Sequence, residues 1–218
     1  MFFRRLHLLW FCAALLVAGC ASPWAIARHP FIVSEAPPDF PRLPVRVALV
    51  RTAAMRAFPT QIGGKDPIGE RLAAAAMEGM LAAARLLVAQ ADLYDAAAPA
   101  GYDLVCTPTN PFLEIRNDRD GLVVTLSLEV VVRDSGEAPV RGMLLTGEGR
   151  PGRRPTAPID ARPSDGGPAK TAGVMGAPIY ASPLEEALNN ALFYLSLDFA
   201  EKLRKRAQKT VEQRAGGQ

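Results

Sequence analysis

Apolar and polar positions alternate most regularly along Leu122–Asp134. Val124, Leu126, Leu128, Val130 and Val132 take one side, while Thr125, Ser127, Glu129 and Arg133 take the other alongside Val123 and Val131. A period of two sustained over this length predicts a half-buried antiparallel strand. The turn-forming Asn117–Gly121 precedes it. Before that turn, Tyr102–Pro108 and Pro111–Arg116 read as strands, with Pro108 and Pro111 marking an edge, a bulge or a break. After the Asp134–Glu137 turn, Val140–Arg150 completes a meander, and upstream the β-branched run Val45–Val50 (VRVALV) reads as the first strand.

Two segments switch to helical spacing. Asp66-Pro67 supplies a cap and a first-turn proline, and the Ala-rich stretch from Ile68 to Ala91 carries Ile68, Leu72, Ala76, Met80, Ala83 and Leu87 along one stripe. Ser182, Pro183 and Glu185 form a capping box ahead of Leu184, Leu188, Ala191 or Leu192, Leu195, Phe199 and Leu203. Asn189 and Asn190 interrupt this face, and one of them is expected to reach a strand edge or loop. The order β-α-β-β-β-α implies an α+β domain, a single antiparallel-rich sheet of about four strands with two long helices packed on one face. The domain is expected over 44–210, with a long Pro/Gly-rich loop at 151–181 read as flexible and a disordered tail at 211–218.

The N-terminus has a different pattern. Arg4 and Arg5 precede an apolar run from Leu6 to about Ala18, too short for a membrane span of about twenty residues and fitting a secretory signal over 1–19. Val17-Ala18-Gly19-Cys20 closes the run, and here the chain resembles the bacterial lipoprotein family, whose signals end in a lipobox. The resemblance implies cleavage between Gly19 and Cys20, a diacylglycerol thioether on Cys20, and acylation of the new amine by a fatty acid such as palmitate. Several acyl chains, at about 0.8 kcal/mol per buried methylene, anchor a protein without a spanning helix. Ala21-Ser22 after the cysteine implies, by the same resemblance, sorting to the outer membrane on its periplasmic face. Residues 20–43 are Pro-rich and read as a tether.

Composition narrows the chemistry. The full chain carries a net charge of +3, and the signal removes Arg4 and Arg5, so no nucleic-acid partner is expected. Cys12 leaves with the signal and Cys20 is assigned to lipid. Cys106, within the apolar Asp103–Thr107, reads as a buried small hydrophobe. The two histidines, His7 and His29, both precede the folded body, which excludes a Ser-His-Asp triad or a His-ligated zinc there. No catalytic residue, metal or cofactor is assigned.

Weaker constellations remain. Gly63–Pro67 (GGKDP) lacks phosphate-loop spacing and reads as a loop and helix cap. Asp160, Asp165 and Glu148 are the carboxylates a hydrolase would need, but nothing in their spacing holds any two of them together. Lys202, Arg204, Lys205, Arg206, Lys209 and Arg214 make the last helix basic at its C-terminal end, which suits the helix dipole or an anionic envelope surface. In architecture alone, 44–210 resembles small envelope lipoproteins: the lipopolysaccharide-assembly, penicillin-binding-protein activator and curli-secretion lipoproteins. Architecture does not fix function; the expectation is a non-enzymatic adaptor for an envelope protein, docking through a sheet edge or the polar face of Leu122–Asp134. A subunit of an export or lipid-transport assembly and a carboxylate-dependent hydrolase are the alternatives. The sequence leaves partner identity and oligomeric state open.

Overall fold

The computed structural model describes residues 41–59, 68–134, 140–152 and 182–216. Strand β1 (Leu43–Val50) leads through a 3-10 turn (Ala53–Met55) to helix α1 (Ile68–Leu87), which runs directly into β2 (Val88–Tyr94). Strands β3 (Leu104–Asp118), β4 (Gly121–Asp134) and β5 (Val140–Gly149) follow, and helix α2 (Pro183–Gly216) ends the fold. The sheet order is β2-β1-β3-β4-β5. Strand β1 runs parallel to both β2 and β3, whereas β3–β4 and β4–β5 are antiparallel.

The α+β class therefore stands, but the sheet is mixed and has five strands rather than about four. The added strand is β2, where the helical stripe was expected to continue to Ala91. Helix α1 stops at Leu87 because Val88–Tyr94 gains a ladder against β1, continuous from Arg46 opposite Gln90 to Val50 opposite Tyr94. Pairing with a central strand outweighs a helix propensity worth only tenths of a kcal/mol per residue. The two segments read around Pro108 and Pro111 are one strand. Asn110 and Pro111 together face Leu128, a bulge in which Asn110 adopts φ +49°. Asparagine tolerates that left-handed conformation, and its amide donates to Glu129 Oε2 at 3.1 Å.

One continuous core lies between the helices and the sheet. It joins Val45, Val47 and Leu49 of β1 and the alternating Val124–Val132 set of β4 to Leu72, Met77 and Met80 of α1 and Leu188, Leu195, Phe199 and Leu203 of α2. The β4 alternation places its apolar set in this core, as its period of two demands. Helix α2 starts as its capping box specifies, the Glu185 N–H donating to Ser182 Oγ at 3.2 Å. The helix continues to Gly216, so 211–216 are helical rather than a disordered tail. Val211 packs on the core and Arg214 pairs with Asp103 at the start of β3, which holds the last turns down.

Helix α2 lies very close to β5. A methyl group on Gly147 would overlap the Ala191 carbonyl oxygen and stand 2.5 Å from the Leu195 nitrogen. One on Gly149 would overlap the Ala187 carbonyl oxygen and stand 3.0 Å from its carbon. Only glycine lets strand and helix backbones meet at this distance.

Candidate docking surfaces

Cys20 and Gly19, the residues assigned to lipidation and cleavage, lie outside the described residues, as do His29, Gly63–Pro67, Asp160 and Asp165. What the described residues bring together is a set of sheet edges and one partly covered sheet face.

The β5 edge is occupied. Asp198 and Lys202, an i,i+4 ion pair at 2.8 Å, turn toward the strand: the Thr146 N–H donates to Asp198 Oδ2 at 2.9 Å, and Lys202 Nζ donates to the Leu144 carbonyl. One turn of helix thus satisfies a donor and an acceptor that an edge strand would otherwise show to another chain. Asn190 extends the clamp by donating to the Arg150 carbonyl at 2.7 Å, while Asn189 donates to the carbonyl of Glu185 four residues back. The expectation that one asparagine reaches a strand end is met by Asn190. Asp198 was not singled out in the sequence, and Lys202 was read only as part of the basic helix end; the pair's signal is a charge pair at helical spacing, which ordinarily marks a solvated face.

The face away from the helices is partly covered. Residues 95–103 carry the chain from β2 back to β3, and Tyr102 lies over β2's outward-facing Gln90, Asp92 and Tyr94. Tyr102 donates to Asp92 Oδ2 at 2.6 Å, and its hydroxyl lies 2.6 Å from that of Tyr94. The hydrogen bond to Asp92 raises the Tyr102 phenol pKa well above its usual value, and the same bond, with one from Gln90, lowers that of the Asp92 carboxyl. Both shifts fix the protons where they already reside, the reverse of the tuning a general acid or base needs. Near the β3–β4 turn, Arg150 pairs with Asp118 at 2.8 Å and with Glu148 at 3.1 Å, and Arg116 approaches Glu148 at 3.6 Å. Burial opposes the Asp118 charge, but the Asp120 N–H and Arg150 hold its carboxyl below the usual range. Glu148 is thus part of an ion-paired cluster with Arg150 and Arg116.

The basic end of α2 is largely engaged within the chain. Arg206 pairs with Asp134, Arg214 with Asp103, Lys205 with Glu201 at 2.6 Å, and Lys202 with Asp198. Cys106 is fully buried, and desolvation pushes its thiol up to about 12, so it behaves as a core hydrophobe. At the carboxyl ends of β1 and β2, a shallow cleft of roughly 650 Å³ is lined by Arg51, Thr52, Arg56, Glu70, Arg71 and Asp95. Arg51 is paired there with Asp95. Among the described residues no three potential ligands gather for a metal, and no helix is long and apolar enough to cross a membrane.

The upper half of β3 differs from the other edges. Strand β1 pairs with β3 only at Leu104–Cys106, so among the described residues nothing pairs with the outer side of β3 beyond them. This segment carries two of the three exposed large hydrophobics of the described residues, Phe112 at 53 % and Ile115 at 36 %. No protein-family model matches the chain, and no curated protein matches it.

Proposed function

We propose that the protein is a lipid-anchored lipoprotein on the periplasmic face of the outer membrane, and that its α+β domain is a non-enzymatic adaptor for an envelope protein complex. The observation that carries this reading is Val17-Ala18-Gly19-Cys20 at the end of a short apolar run behind Arg4 and Arg5. The Pro-rich stretch after Cys20 supports it. At about 3.1 Å per residue, an extended stretch of that length reaches on the order of 70 Å from a membrane. The adaptor role draws support from the domain's polar chemistry, in which the perturbed carboxylates and phenol are tied into hydrogen bonds and ion pairs.

The test is expression in a Gram-negative host fed an alkyne-bearing palmitate. The wild-type chain should take up label and fractionate with the outer membrane, and Cys20→Ser should lose the label and stay at precursor length. Recovery of unlabelled protein in the soluble periplasmic extract would overturn the anchor. Photo-crosslinkers at Leu144 and Thr146, both exposed on the face away from the helices, should capture a defined envelope protein; capture of no other protein would end the adaptor reading.

A further inference from the structure

The direction of the backbone groups along β3 follows from the clamp on β5. Because Thr146 N–H and the Leu144 carbonyl point outward to α2, Leu145 between them bonds inward to Leu128 of β4. Alternation along β4 then turns Ser127, Thr125 and Val123 toward β3, where they meet Phe112, Glu114 and Arg116. The N–H and C=O groups of Leu113, Ile115 and Asn117 therefore face away from the sheet, on the side that no described strand covers. The other two edges are treated differently. Asp198 and Lys202 occupy β5, and on the shorter β2 the Arg85 guanidinium reaches the Ala91 carbonyl at 3.3 Å.

We infer that this edge of β3, unpaired among the described residues, is a self-association site, at which a second copy of the chain pairs antiparallel through Leu113–Asn117 about a two-fold axis at Ile115. Three observations select that occupant and register. An axis at Ile115 sets Glu114 opposite the second copy's Arg116, and Arg116 opposite its Glu114. Both side chains are about half exposed and of opposite charge; within one chain they lie 3.8 Å apart, a single pair that this register exchanges for two between copies. Directly opposed unlike charges favour a cross-strand pair, and like charges oppose it. The same axis lets Leu113 exchange hydrogen bonds with Asn117 at both ends while Ile115 exchanges them with its twin, so every outward group of the segment is used. Shifting the axis to Leu113 would set Ile115 against Pro111, which has no N–H and lies in the bulge; shifting it to Asn117 would set Ile115 against Arg119 in the turn. The interface is isologous, as a closed dimer requires. It covers Ile115 and joins two five-stranded sheets into one. The inference concerns the domain alone and is independent of the lipid anchor.

Sedimentation of the purified full chain over a micromolar concentration series should show a monomer–dimer equilibrium. Ile115→Pro removes an N–H that points away from β4, so the fold keeps its ladder, and the dimer dissociation constant should rise at least about tenfold. Glu114→Arg and Arg116→Glu should each be monomeric alone and should form a heterodimer when mixed. Ile115→Cys should oxidise to a covalent dimer, because residues opposed in a hydrogen-bonded pair lie about 5.5 Å apart at Cα, within disulfide range. A wild-type chain that stays monomeric throughout would overturn the inference. So would a dimer that survives Ile115→Pro and both charge reversals, or one in which Ile115→Cys fails to crosslink.

Discussion

Replacing Gly147 or Gly149 by alanine tests the contact on which the edge arrangement depends. A carbon atom is comfortable at about 3.5–4.0 Å from its neighbours. A methyl at Gly147 would be 2.5 Å from the Leu195 nitrogen and closer still to the Ala191 oxygen, so strand and helix must separate by roughly 1 Å or more. Neither obstacle is a side chain that could rotate away; both are helix backbone. A gap of that size forfeits a quarter to a half of each contact along the seam, which here is lined by the fully buried Ala187, Ala191 and Leu195. It also pulls Asp198 and Lys202 off the β5 edge. We expect each substitution to cost about 3 kcal/mol, the upper end for overpacking and a large share of the roughly 5–15 kcal/mol that holds a domain folded. Urea unfolding followed by circular dichroism measures this, with Gly216→Ala as the control, since nothing lies within 4 Å of a methyl there. If both strand variants unfold within about 0.5 kcal/mol of wild type, helix α2 is not seated on β5 as described.

Asp103 gives a pH-dependent counterpart. Burial opposes its charge, but Arg214 and the Arg46 N–H, at 2.7 Å, hold its carboxyl below the usual carboxylate range. A depressed carboxyl contributes its full stability above the unfolded pKa, so that contribution should be present above about pH 4–5 and lost as the pH falls through the folded value. Asp103→Asn should flatten this acid limb of the stability profile, and an unchanged limb would rule Asp103 out as its source. In Asp198→Ala, the Thr146 amide should lose hydrogen-exchange protection while global stability falls by about 1 kcal/mol; retained protection would show that the helix does not cap the strand.

These outcomes bear on how the molecule manages its edges. Strand β5 is held by a helix one residue pair at a time, β2 is short, and the β3–β4 hairpin runs on past β1 with no described strand on its outer groups. Among the described residues two edges are protected and a third, which carries Phe112 and Ile115, is not, and this difference is what the proposed strand pairing rests on. The charge order Glu114, Ile115, Arg116 makes that surface self-complementary when read in the opposite direction.

The sequence by itself determined the elements whose signal is local. The strict alternation of Leu122–Asp134 fixed β4 and its buried side, and the Ser182–Glu185 box fixed where α2 begins. The unbroken apolar run Val47–Val50, buried throughout, also fitted the central strand that β1 proves to be. Tertiary structure decided what depended on a neighbour. Val88–Tyr94 is a strand because β1 offers it a ladder, and as an isolated Ala-Gln-Ala stretch it favours helix. Pro108 and Pro111 sit inside one strand because β1 has already left that side of β3, so their missing N–H groups cost no interstrand bond there. Asp198 and Lys202 look in sequence like any solvated helical pair. Their role on β5 exists only because Gly147 and Gly149, some fifty residues earlier, let the helix close to contact with the strand. Spacing along a chain encodes which side of an element is apolar; which edge lies beside which helix is set only when the layers pack.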